Sequence, residues 1–141
     1  MNMKKLSPRI YVSGQITTTD IGVASAQGIK TIINNRPDNE APGQPKSADL
    51  AAAAAELGLE FIDVPVDSGG ITVENIDQFD RANRDLQAPA LIFCRSGTRS
   101  TTLWALNEAK TQDVDNILAT TSAAGYDLSP MRATLVSRSA H

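Results

Sequence analysis

Four apolar residues, Ala90 to Phe93, run behind Pro89 straight into a loop of very different chemistry, and from about Thr98 the pattern turns helical. The run has the length and composition of a buried strand. Leu103, Leu106 and Ala109 then recur at spacings of three on one helical face. Between strand and helix stand Cys94, Arg95, Ser96, Gly97, Thr98 and Arg99, followed by Ser100. A turn of this kind gathers backbone N–H groups and the positive end of a helix at one point, which makes an anion site. Gly97 permits the tight turn, and two arginines add charge. A cysteine placed there is expected to titrate below its free value of roughly 8.5, because the thiolate is the form such a loop stabilises.

A lone cysteine closing an apolar strand is more often a small buried hydrophobe than a reagent. The residues after Cys94 argue otherwise. Two arginines beside a buried thiol have no core-packing rationale, since buried charges need partners. The loop is built for chemistry on an anion.

The rest of the chain supplies a scaffold for such a turn. Arg9–Val12 is expected as a first strand, with a helix from Thr19 or Asp20 to about Gln27 and a stop at Gly28. Lys30–Asn34 is a β-branched strand, and a polar loop from Asn35 to Pro45 with three prolines follows it. That loop leaves a strand end as Cys94 does, which suits a wall of the site as well as a plain connector. Its Arg36 is either a substrate contact or an arginine paired with Asp38 or Glu40. Ser47 and Asp49 start an alanine-rich helix over Leu50–Leu57, and Glu60–Val66 is a third strand that Pro65 places near an end or an edge. Thr72 caps a helix carrying Ile76, Phe79 and Leu86. Asp113 starts another that runs to about Ala124, and Ser129-Pro130 opens the last. Strands alternate with helices, so the expected fold is α/β. It has three layers and one domain over residues 1–141, with a largely parallel central sheet of about four strands flanked by helices.

Composition narrows the function. A net charge of −3 and a pI of about 5.0 give no general case for a nucleic-acid partner. One cysteine precludes a disulfide framework and a cysteine-rich metal site. The only histidine, His141, is the last residue and is expected to be mobile, so a Cys–His protease arrangement and a histidine metal site are not expected. Phosphate-loop and dinucleotide patterns are absent. No cofactor and no metal are called for. The longest apolar run, Leu50–Ala55, is too short to span a bilayer, so no membrane partner is expected and the cytoplasm is the expected location.

Cys94 to Ser100 resembles the active loop of rhodanese sulfurtransferases, Cys-x-x-Gly-x-Arg, and is a near relative of the protein tyrosine phosphatase loop, Cys-x5-Arg-Ser/Thr. The spacing separates them: four residues lie between Cys94 and Arg99, one fewer than in the phosphatase loop. One residue is up to ~3.5 Å of contour, so a tighter cradle is expected. Phe93 stands where the phosphatases usually carry histidine. Both departures favour sulfur chemistry.

Further motifs extend the likeness to about residues 3–135. Tyr11-Val12-Ser13-Gly14-Gln15, Ile32 to Asp38, Val64-Pro65-Val66, Cys94 to Ser100 and Ala124-Gly125-Tyr126-Asp127 together resemble the phosphatase-like domain of beta-lactamase-hydrolase-like proteins. The resemblance implies the scaffold of dual-specificity phosphatases. It also implies a persulfide dioxygenase acting in the same pathway as a partner, since some members are fused to one. Arg99 is implied to point inward onto the anion, with Arg95 the more replaceable of the two.

Two reactions suit these residues. In the favoured one, a rhodanese-like sulfur transfer, the Cys94 thiolate takes sulfane sulfur from thiosulfate or a low-molecular-weight persulfide. Arg95, Ser96, Gly97, Thr98 and Arg99 hold the anion, Ser100 donates to the thiolate or to a leaving sulfur, and no general acid is needed. In the alternative, a phosphate monoester is hydrolysed through a phosphocysteine on Cys94, and the leaving group needs a proton. Asp67, just after the third strand where related phosphatases carry their acid, is the first candidate, although a turn-capping role is the plainer expectation. Asp63 is second. A stoichiometric redox or persulfide sensor using Cys94 is a third possibility.

Overall fold

The structure, a computed structural model, describes residues 1–139, and His141 falls outside them. The elements in chain order are β1 (Lys4–Lys5), β2 (Ile10–Ser13), α1 (Thr18–Ala26), β3 (Thr31–Asn34), α2 (Ser47–Glu56) and β4 (Glu60–Asp63). They continue with α3 (Val73–Asp85), β5 (Ala90–Phe93), α4 (Thr98–Glu108), α5 (Val114–Ala123), a 3₁₀ turn (Ser129–Met131) and α6 (Arg132–Ser139). The sheet runs β1-β2-β5-β3-β4, parallel except for β1, which is antiparallel to β2.

β5 therefore lies at the centre of the sheet, and all four of its residues are buried. Side chains alternate between two faces. Leu91 and Phe93 join Ile32 in the layer under α1 and α2. Ala90 and Ile92 join Val12 and Ile33 in the layer under α3, α4, α5 and α6. Burial on both faces is why β5 shows an unbroken apolar run. β4, at one edge, keeps Glu60 and Asp63 exposed.

The sheet has five strands, one more than the apolar pattern predicts. The extra one is an exposed pair of lysines at the edge, held by backbone pairing to Val12 and Tyr11, so no hydrophobic signal marks it. The third expected strand is shorter than Glu60–Val66. Val64 and Val66 still donate to the carbonyls of Asn34 and Asn35 at 2.9 Å each, but Pro65 between them has no N–H, and regular structure stops at Asp63. The cap of α1 is Thr17, whose hydroxyl accepts from the N–H of Asp20 while the Asp20 carboxylate accepts from that of Thr17. Ser129-Pro130 opens a 3₁₀ turn, and the last α-helix follows it.

Register brings the functional residues to one edge. Ser13 and Asn34 both lie level with Phe93. The three residues that follow, Gly14, Asn35 and Cys94, leave the sheet side by side at the C-terminal ends of its strands. In open α/β sheets this is the edge at which ligands bind.

Candidate active site

Cys94 follows β5 with 1% of its surface exposed, at the floor of the turn into α4. Its sulfur accepts a hydrogen bond from the Gly97 N–H at 3.1 Å. Gly97 lies in the left-handed region, at φ 95°, where other L-residues are strained by roughly 1–2 kcal/mol. A methyl group there would land on the Tyr126 hydroxyl, so the position demands glycine twice over. A side chain at Gly14 would press on the Arg95 carbonyl at 3.0 Å, and the same carbonyl accepts from the Gln15 N–H at 3.0 Å. Among the described residues, the backbone N–H groups of Ser96, Arg99 and Ser100 have no protein acceptor. With the first turn of α4 behind them, they suit an anion.

Arg99 stands in the first turn of α4, and its guanidinium is tightly held. Nη1 donates to Glu40 Oε2 at 2.8 Å and to the Val66 carbonyl at 2.7 Å, and Nη2 donates to Glu40 Oε1 at 2.8 Å. A guanidinium has five N–H donors in one plane. Three are used among the described residues, and the other edge, Nε–H and one Nη2–H, is left for the Cys94 thiolate within its reach and for an anion. The Glu40 hydrogen bonds hold Arg99 above its ordinary range against the opposing effect of burial, and the negative charge of Cys94 adds to the rise. Arg99 and Arg36 hold the Glu40 carboxyl below its ordinary range, Arg99 most strongly, while burial opposes them.

Arg36 takes the paired role. It is buried, donating from Nε to Glu40 Oε1 at 3.0 Å and from Nη1 to Gln15 Oε1 at 3.0 Å. Both bonds brace the wall of the site, and of the two options expected for Arg36 the structure shows the pairing with Glu40. Ser100 also differs from expectation. Its hydroxyl donates to Asn35 Oδ1 at 2.7 Å, and Asn35 is fixed in turn by donating from Nδ2 to the Val64 carbonyl at 2.9 Å. The single proton of Ser100 thus goes to Asn35 and not to Cys94. Arg95 is exposed, and its guanidinium makes no hydrogen bond among the described residues. Ser96 and Thr98, both exposed, bond each other through their hydroxyls at 3.1 Å.

Asp67 follows Val66, whose carbonyl takes Arg99, and lines a cleft of about 300 Å³ with Pro37, Pro65, Gly70, Thr72 and Asn75. The expected capping role is absent. The turn is closed by the Asp67 backbone carbonyl, which accepts from the Gly70 N–H at 3.2 Å, and the exposed carboxylate caps nothing among the described residues. Asp63 is structural, accepting from Asn34 Nδ2 at 3.1 Å and from the Ser47 hydroxyl at 2.7 Å.

Residues 2–111 match the family described as beta-lactamase hydrolase-like protein, phosphatase-like domain. The chain belongs to this family. The beta-lactamase hydrolase-like protein of Agrobacterium fabrum is 37% identical over 109 residues, which are 77% of this chain and 25% of the relative. The chain thus spans about a quarter of that relative's length. A provisionally assigned phosphatase of Neisseria meningitidis superposes with a TM-score of 0.87 at 34% identity, over 98% of this chain and 99% of that one. The core catalytic domain of the PP-IP phosphatase SIW14 from S. cerevisiae shares the fold at 15% identity, with a TM-score of 0.71 over 96% and 83% of the two chains. The chain thereby has a cysteine-phosphatase-like fold, as its motifs imply. These relationships favour the phosphate-ester alternative and lend no support to sulfur transfer.

Proposed function

We propose that this domain hydrolyses phosphate monoesters, with Cys94 as the nucleophile. The observation that carries the proposal is the arrangement of Cys94 and Arg99. A sulfur that accepts a loop N–H sits in the same turn as a guanidinium fixed on one edge by Glu40 and Val66, with its other edge left for the anion among the described residues. The kinship with phosphatases supports it.

The Cys94 thiolate attacks phosphorus, an S–P bond forms, and the bond from phosphorus to the ester oxygen breaks. Asp67 gives that oxygen its proton, so the alcohol leaves neutral. Water then attacks phosphorus and loses a proton to the Asp67 carboxylate. The S–P bond breaks, and inorganic phosphate leaves with the thiolate restored. Throughout, the free edge of Arg99 and the unpaired amides of the loop take the charge of the equatorial oxygens. The organic part of the ester occupies the cleft beside Asp67.

Sulfur transfer remains the second reading on one observation, the four-residue spacing from Cys94 to Arg99. The two are separated by turnover of p-nitrophenyl phosphate, thiosulfate and glutathione persulfide side by side, with Cys94→Ser as control. The proposal expects Cys94-dependent release of nitrophenol. Turnover of the sulfur donors alone would overturn it.

A further inference from the structure

Tyr126 lies between α5 and the 3₁₀ turn, beyond the residues that match the family, and yet it reaches the catalytic loop. Its hydroxyl donates to the Ser96 carbonyl at 3.0 Å. That carbonyl and the Gly97 N–H are the two ends of one planar trans peptide, so they point in opposite directions and turn together. One end is tied to Tyr126 and the other to the Cys94 sulfur at 3.1 Å. We infer that Tyr126 is a positioning residue, which aims the Gly97 N–H at Cys94 by holding the Ser96–Gly97 peptide from its far side and so sets how readily the thiolate forms.

Two further features agree. The glycine at position 97 lets Tyr126 approach so closely that any side chain there would collide with its hydroxyl. Tyr126 also ionises above its ordinary range, through its own burial first and the neighbouring charge of Cys94 second. The Tyr126 hydroxyl thus lies close enough to Cys94 to feel its charge. The groups facing the Tyr126 hydroxyl are Gly97 and the Ser96 carbonyl, with the Cys94 charge beyond. The inference rests on Cys94 being the nucleophile and not on which group it transfers.

The chain has one cysteine, so labelling cysteine at Cβ with a carbon isotope gives one NMR signal whose shift follows thiol ionisation. Tyr126→Phe removes the hydroxyl and nothing else. With the Ser96 carbonyl released, the variant should hold about three- to tenfold less thiolate at any pH below the Cys94 midpoint. A midpoint that stays put or moves down in a folded Tyr126→Phe protein would overturn the inference. Should that variant fail to fold, the donor is strengthened instead of removed. In a Tyr11→Phe background 3-fluorotyrosine replaces the remaining tyrosine, and the Cys94 midpoint should move down. A midpoint that stays put or rises would overturn the inference. Neither titration depends on phosphatase turnover, so failure of the positioning role and failure of the proposed reaction are distinguishable.

Discussion

Arg99 and Glu40 meet through two parallel hydrogen bonds of 2.8 Å each, from residues 59 positions apart in the chain. Arg36 backs the same carboxylate, so one acid from the loop after β3 orients the guanidinium that closes the loop after β5. The pairing decides which edge of Arg99 faces the thiol. A lysine at position 99 would keep the charge and lose both the fork and its free edge.

Glu40→Gln keeps one acceptor and loses the charge, leaving Arg36 and Arg99 as neighbouring cations. A hydrogen bond to a charged group is worth about 1.5–3 kcal/mol, so kcat should fall about 10- to 100-fold. Inorganic phosphate should still inhibit, because positive charge in the site is not diminished. Stability should follow pH with a definite sign. The Glu40 carboxyl is depressed in the folded protein, so its contribution is present above the ordinary carboxylate range and disappears as pH falls through the folded value. Parent and Glu40→Gln should therefore differ in thermal midpoint at neutral pH and converge in acid.

Arg99→Lys should lose most of its activity, whereas Arg95→Ala should stay near the parent. Arg95 is exposed and Arg99 makes three hydrogen bonds within the site. Steady-state kinetics on the two variants test this. A greater loss from Arg95→Ala would mean that the loop binds its anion from the outer side.

Asp67→Asn should lower kcat for alkyl phosphates by about 10²–10⁴, the usual worth of a positioned acid. The loss should shrink for esters whose leaving group is already acidic, since that oxygen needs no proton. A uniform small effect across leaving groups would remove Asp67 from the reaction.

Much of this is legible in the sequence. The run Ala90–Phe93 announces a buried strand because burial on both faces removes polar positions, and the Cys94–Ser100 loop announces an anion site because its arginines have no place in a core. Glu40 was legible only as a partner for Arg36. Its hold on Arg99 crosses from one strand end to another, which no local pattern encodes. Asn35 and Gln15 were visible as members of a motif, but their roles depend on three strand ends coming level. Tyr126 belonged to a recognisable motif too, and only the fold brings it onto Gly97. Loop spacing, one residue of contour, points to sulfur, and kinship with phosphatases weighs against that reading.

The most direct test of the account is the covalent state of Cys94 during turnover. The protein is mixed with a phosphate monoester, quenched in acid within a single turnover and digested. The peptide carrying Cys94 is then weighed by mass spectrometry, beside a sample treated with thiosulfate. The account predicts a peptide heavier by one phosphoryl group after the ester, absent in Cys94→Ser. A Cys94 peptide that never carries phosphoryl, and instead gains one sulfur atom from thiosulfate, would contradict it.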